Sequence, residues 1–251
     1  MSSPILAQMQ QAAQLGRKQL AVLIDPDKAN EQHLLHLVRK AEQMGADYFF
    51  VGGSLLSSDQ LAQTIAYIKQ YVEIPVVIFP GGATQVTDNA DGILLLSLIS
   101  GRNPEFLIGA HVVAAPALRR SGIQVLPTGY MLIDGGAPTT VSYISNTTPI
   151  PSNKPDIAAC TAMAGEMLGL QLIYMDAGSG APQPIPAAMI KAVKRSVKLP
   201  LIVGGGMRSA DAAQAAWQAG ADVVVIGNAL EEQPSFIEEL AVALRGANHQ
   251  Y

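Results

Sequence analysis

Two aspartates and three glycine-bearing turns carry the chemistry this sequence offers. The stretch 172–182, LIYMDAGSGAP, begins as an apolar run, sets Tyr174 and Asp176 at its end and passes into Gly178-Ser179-Gly180. Farther on, IVGGGMRS places Gly205-Gly206 after a second apolar run, and VVIGNAL places Gly227-Asn228 after a third. Glycines let backbone N–H groups approach an anion without obstruction, and a following helix adds a favourable dipole, so such turns suit a phosphate. The plainer reading is that they only turn the chain. Their repetition after successive apolar runs favours phosphate. Asp25, in LIDPDK, ends the first apolar run, and Ser54 follows the second. A hard cation such as Mg²⁺ takes oxygen ligands and needs only one or two carboxylates from the protein. The same Asp25, with Asp27, would also start a turn and cap the next helix. Spacing leaves both readings open.

These residues need a scaffold that brings the ends of several strands together. The chain alternates short β-branched runs with longer amphipathic segments, giving eight strand–helix steps. Segment 29–45 has helical spacing and ends on glycine, and 57–72 forms the next helix. IPVVIFPGG is the third strand, but ATQVTDNA after it is too short for a full helix. Segment 103–122 is helical with Asn103-Pro104 at its start. In 123–155 the pattern reads as a strand followed by a hairpin-like insertion through TTVSYISNT. Regular alternation then resumes to the C-terminal helix, and 4–16 forms an extra helix before the first strand. Continuous apolar strands covered on both faces predict one α/β domain over 1–251: a (β/α)₈ TIM barrel with a degenerate third helix and an extra N-terminal helix. A doubly wound open sheet is the alternative. In such a barrel the strand C-terminal ends share one face, which gathers every residue named above.

Composition narrows the function. Hydrophobic residues make up 49% of the 251 residues and charged residues 14%, with net charge -4. No run reaches the roughly 18 apolar residues that span a bilayer, no signal peptide is read at the N-terminus, and a cytoplasmic protein is expected. Nothing basic enough for nucleic acid is present. Cys160 is the sole cysteine, which excludes an internal disulfide, and it is read as core. His33, His36, His111 and His249 have no ligand spacing and are read as surface or packing residues. Trp217 is read as packing or subunit contact.

The ordered set LIDPDK, FFVGGSLL, SLISGRNPEFLIGAHV, VLPTGYMLIDGG, YMDAGSGA, IVGGGMRS and VVIGNAL resembles the geranylgeranylglyceryl phosphate synthases, across most of the chain. PTGYMLIDGGAPTTVSYISNT is closest to the long-form subgroup of archaea and Bacteroidetes. The resemblance implies a Mg²⁺-dependent prenyltransferase joining a long isoprenoid diphosphate, geranylgeranyl above all, to the 3-hydroxyl of sn-glycerol 1-phosphate. The ether-lipid precursor then passes to a membrane. It also implies Asp25 and Ser54 as Mg²⁺ positions. Acceptor contacts would come from Tyr174, Met175, Asp176, Ala177, Gly178, Ser179, Gly180, Gly205, Gly206, Gly227 and Asn228. Asp176 would serve as base with Tyr174 beside it, and the assembly would be a homodimer or hexamer. Two departures stand out: relatives commonly carry glutamate at Asp176, and some carry lysine at Leu23. The rival classes are a phosphosugar isomerase or aldolase barrel, and a phosphate-binding barrel whose catalysis is impaired by the shorter acid.

Overall fold

A computed structural model of the chain describes residues 4–28, 31–53 and 60–249. Its strands are β1 (Gln19–Ile24), β2 (Tyr48–Gly52), β3 (Val76–Phe79), β4 (Gly92–Leu98), β5 (Gln124–Leu132), β6 (Leu172–Asp176), β7 (Leu201–Gly204) and β8 (Val223–Ile226). Each pairs in parallel with the next, and β8 returns to β1 with Val223 opposite Gln19, closing a barrel. Around it lie α1 (Ile5–Gln14), α2 (Glu31–Gln43), α3 (Leu61–Ile68), α4 (Ala110–Ser121), α5 (Thr140–Ser145), α6 (Pro155–Met167), α7 (Ala187–Ser196), α8 (Ala210–Ala219), α9 (Asn228–Glu232) and α10 (Phe236–Asn248).

Strand side chains alternate faces, so one run serves two cores. Leu20, Val22, Phe49, Ile173, Met175 and Val203 pack outward against the helices. Ala21, Tyr48, Phe50, Leu126, Tyr174 and Ile202 fill the barrel interior. Ile5 and Met9 of α1 join this inner set. Ile5 N–H donates to the Gln124 side-chain oxygen at 2.6 Å, so α1 plugs the barrel at the strand N-terminal ends. Trp217 of α8 is fully buried and donates from Nε1 to Gln19 O at 3.0 Å, which makes it packing.

The N-terminal rim repeats one device three times. Asp47, Asp91 and Asp222 each stand just before or at the start of a strand. Their carboxylates accept the N–H of Leu20 (2.9 Å), Val76 (2.8 Å) and Leu201 (2.8 Å) on the neighbouring strand. Each also meets a cation: Arg17 at 2.9 Å, Lys69 at 2.5 Å and Lys194 at 2.5 Å. Conserving backbone hydrogen bonds at this rim leaves the opposite rim free for chemistry.

Between β3 and β4 no helix forms. Gln85 and Thr87 side chains compete for the backbone of the segment: Gln85 Oε1 takes Gly81 N–H at 2.7 Å, and Thr87 Oγ1 takes Asn89 N–H at 3.3 Å. Pairing of β3 with β4 is confined to Val77 with Gly92 and Ile78 with Ile93, so β4 runs on beyond its partner.

Two expectations need correction. TTVSYISNT is not a hairpin; it contains α5. Ser142 Oγ accepts Thr139 N–H at 3.0 Å and donates to Thr139 O at 2.8 Å, while Asn146 ends the helix at φ 48°. These local bonds outweigh the strand preference of the β-branched residues, and the chain returns by a parallel bridge of Ile150 to Ile133. Cys160 is exposed, because α6 buries Ala158, Ala159, Ala162 and Gly165 instead.

Asp222→Ala leaves a buried N–H without its acceptor. The variant should lose about 1–3 kcal/mol in urea unfolding while anion binding at the opposite rim is unchanged. Wild-type stability would contradict this role.

Candidate active site

The C-terminal rim holds a polar cavity of about 310 Å³. Asp25 and Lys28 reach it from β1, Gly52-Gly53 from β2, and Tyr174, Asp176 and Gly178-Ser179-Gly180 from β6. Gly205-Gly206 follow β7 and Gly227-Asn228 follow β8, so the three turns singled out by their glycines share one cavity. Met175 and Ala177 instead turn their side chains into the outer core. Ser54 lies outside the described residues.

The turns are shaped by close approach. Gly205 has φ 81°, and a Cβ there would fall 2.5 Å from Asp176 Oδ1 and 2.6 Å from the N atoms of Ala177 and Gly178. Only glycine fits, and the β7 turn therefore lies directly against the Asp176 corner. At Gly227 a Cβ would make ordinary contact with Leu23 at 3.5 Å, so glycine there keeps the cavity open rather than relieving a clash. Asn228 Nδ2 donates to Ser179 Oγ at 3.1 Å, joining the β8 turn to the β6 loop.

Asp176 is 8% exposed. Tyr130 donates its hydroxyl to Oδ2 at 2.5 Å, and Gly178 N–H donates to Oδ1 at 2.7 Å. Burial raises the Asp176 pKa above the ordinary 3.8, against the two donors, which lower it. Burial, and then the Asp176 charge, push Tyr130 and Tyr174 well above 10.0, so both rings hold their protons at neutral pH. Since the folded pKa of Asp176 exceeds the unfolded one, its ionised form costs stability above that pKa, and the cost is relieved as pH falls through it. A carboxylate kept basic and aimed at a cavity is suited to accept a proton.

Phe79, Tyr130 and Tyr174 meet edge to face, with centroids 5.5 Å apart for Phe79–Tyr174 and Tyr130–Tyr174 and 6.2 Å for Phe79–Tyr130. They stand on a border. Tyr174 lines the polar cavity, Tyr130 lines a second, apolar groove, and Phe79 lines both. That groove occupies the place of the missing helix, with Val86, Leu95, Leu96, Phe106, Ala114 and Ile144 in its walls. His111, read as packing or surface, is part of the groove wall; its Nε2 lies 2.9 Å from Leu96 O on the overhanging part of β4.

Of the two roles its sequence left open, Asp25 takes the turn-forming one. Oδ1 accepts Asp27 N–H at 3.1 Å and so shapes the turn, while the carboxylate remains at the cavity wall. Glu231 of α9, a residue that sequence reasoning missed, takes Asp25 N–H on Oε1 at 3.2 Å. Tyr130 was missed as well. Its ladder partner is Tyr174, but parallel register is set by packing and has no local sequence signal.

Residues 13–244 match the model of the PcrB family. The chain belongs to that family. It is 53% identical over 233 residues to the geranylgeranylglyceryl phosphate synthase of Spirosoma linguale, covering 93% of this chain and 94% of the relative. It is 56% identical over 232 residues to the enzyme of that name from Chitinophaga pinensis, covering 92% of each. Among solved structures, (S)-3-O-geranylgeranylglyceryl phosphate synthase from Thermoplasma acidophilum, in complex with substrate sn-glycerol-1-phosphate, superposes with TM-score 0.91 at 31% identity over 100% of both chains. A thiamine phosphate pyrophosphorylase from Pyrococcus furiosus, at 14% identity and TM-score 0.57, shares the fold alone.

The Tyr130 contact stabilises the charged form of Asp176, so Tyr130→Phe should move the Asp176 titration to higher pH. Carboxyl-carbon NMR reads this directly. A midpoint that stays put or moves down would contradict the assigned bond.

Proposed function

We propose that the protein transfers a long prenyl group, geranylgeranyl by the names of its relatives, from its diphosphate to the 3-hydroxyl of sn-glycerol 1-phosphate. The observation that carries this reading is a buried, basic carboxylate in a polar cavity, hydrogen-bonded to Tyr130 of the apolar groove where the two spaces border each other. An acceptor with a phosphate and a donor with a hydrocarbon tail have to meet at such a border. An isomerase or aldolase of small sugar phosphates would have no use for the groove. A barrel that had lost its base would have no reason to keep a carboxylate buried against two donors.

In this reading the glycine turns after β6, β7 and β8 hold the acceptor phosphate through backbone N–H groups. The phosphate anchor brings the 3-hydroxyl to Asp176, which takes its proton as the oxygen attacks C1 of the prenyl chain. The C1–O bond to diphosphate breaks and the diphosphate leaves with the bonding pair. Phe79, Tyr130 and Tyr174 present aromatic rings where allylic positive charge develops, and the groove takes the tail. Tyr174 keeps its proton and acts by shape and ring, not as a base.

Mg²⁺ fits the donors at this rim. Asp25 offers a carboxylate with side-chain exposure of 27%, and Glu231 one of 20%, both hard oxygen donors on the cavity wall. When bound at Asp25, the ion would neutralise the leaving diphosphate. The cavity needs such help: among its described lining residues, Asp25, Asp176, Glu231 and Glu232 face only Lys28 and Arg208. No described helix is long and apolar enough to cross a membrane.

Asp176→Asn keeps the shape and removes the proton acceptor. Its kcat should fall about 10²–10⁴-fold, with the KM for sn-glycerol 1-phosphate nearly unchanged. A variant turning over like wild type would assign the base elsewhere.

A further inference from the structure

The cavity that holds Asp176 also holds a charged group for which the mechanism above has no task. Lys28 ends the short 3-10 turn Pro26–Lys28 that follows β1. Its ammonium lies 3.4 Å from Asp25 Oδ2, 3.5 Å from Glu231 Oε2 and 3.4 Å from Asn228 Oδ1. One cation therefore touches the metal-side aspartate, α9 and, through the Asn228–Ser179 bond, the phosphate loop after β6.

The three contacts differ from those that build the rest of the site. All are at or beyond the outer limit of hydrogen-bond length, where the catalytic corner uses 2.5 and 2.7 Å. The Lys28 side chain is 52% exposed. Exposed pairs of this kind contribute roughly 0–1 kcal/mol, so the ammonium can leave its partners at small cost. Glu231 is differently placed. Its Oε1 accepts Asp25 N–H, which ties it to the turn, so Lys28 is the less tethered member of the pair. Lys28 supplies the positive charge of this cluster through its ammonium.

Charge balance says where that cation goes. Both substrates in the proposed reaction are phosphate-bearing anions, and the described lining carries more carboxylates than cations. Arg208 is partly engaged, with Nη2 on Gly180 O at 3.3 Å. A divalent ion arriving at Asp25 would take an acceptor from Lys28 and repel it. Phosphate oxygens brought in with that ion would then be the nearest replacement.

We infer that Lys28 has two positions: on Asp25 and Glu231 in the free protein, and on the diphosphate of the prenyl donor once a metal ion occupies Asp25. The inference rests on the metal reading of Asp25 given above. It predicts effects of opposite sign for one substitution. Without the ammonium the carboxylates lose a competitor, so metal binds the free protein more tightly. The diphosphate loses a charged donor and binds more weakly. A lysine that merely ties the β1 turn to α9 would weaken both when removed.

The experiment uses the full chain, Mn²⁺ as the metal probe and inorganic diphosphate as the donor probe. Mn²⁺ binding to the free protein is followed by electron paramagnetic resonance, and diphosphate binding at saturating Mn²⁺ by calorimetry. For Lys28→Gln the Mn²⁺ Kd should fall about 2- to 5-fold and the diphosphate Kd should rise about 10-fold or more. A parallel weakening of both, or no change in either, overturns the inference and leaves the metal reading in place. Asp25→Asn tests that reading separately and should abolish tight Mn²⁺ binding. If it binds Mn²⁺ like wild type, the metal reading fails and the Lys28 inference falls with it. Thermal unfolding of both variants near the wild-type temperature secures the comparison.

Discussion

A carboxylate on the inner wall of a closed barrel is costly to keep charged, and Asp176 is held there by two donors of unequal kind. Gly178 N–H comes from the loop that follows the same strand. Its geometry depends on the left-handed φ of 91° at Gly178 and on the bare face of Gly205 packed beneath it. The Tyr130 hydroxyl comes from the next strand and reaches Asp176 because β5 and β6 pair with Tyr130 level with Tyr174. The Asp176 carboxylate, the proposed proton acceptor, thus depends on a loop conformation and on a sheet register at once.

The groove beside this corner arises from an omission. With the helix after β3 replaced by an irregular segment, β4 overhangs its neighbour and the barrel wall opens as an apolar groove. The three rings, meeting edge to face, stand at the seam between groove and cavity, so in the proposed reaction a tail and a phosphate would approach one carboxylate from different sides. Stability is concentrated at the other rim, where aspartates tie neighbouring strands and α1 plugs the interior. Work is divided between the two ends of the barrel.

Much of this was legible in the residues. Apolar runs with glycine turns at one end mark barrel strands and the rim where their C-terminal ends gather, and ATQVTDNA is visibly too short and too rich in Thr and Asn to be a helix. What stayed hidden is what depends on register or on weak local competition. Nothing around Tyr130 says that it will lie level with Tyr174, and nothing around Glu231 says that it will reach the backbone of Asp25. The segment holding α5 failed for another reason: its β-branched residues favour a strand, and a few side-chain hydrogen bonds reverse that preference. Met175 was carried into the site with its motif, but the two-residue alternation of β6 turns it outward between Tyr174 and Asp176.

The central claim is that acceptor and donor meet at Asp176 with the tail in the groove left by the missing helix. A crystal structure with sn-glycerol 1-phosphate and an unreactive thio-analogue of the prenyl diphosphate tests it most directly. The account predicts the 3-hydroxyl within hydrogen-bond reach of the Asp176 carboxylate, C1 of the donor facing the Phe79, Tyr130 and Tyr174 rings, and the tail running past Leu95 and Phe106. A tail lying elsewhere, or a hydroxyl held away from Asp176 with both ligands bound, would contradict it.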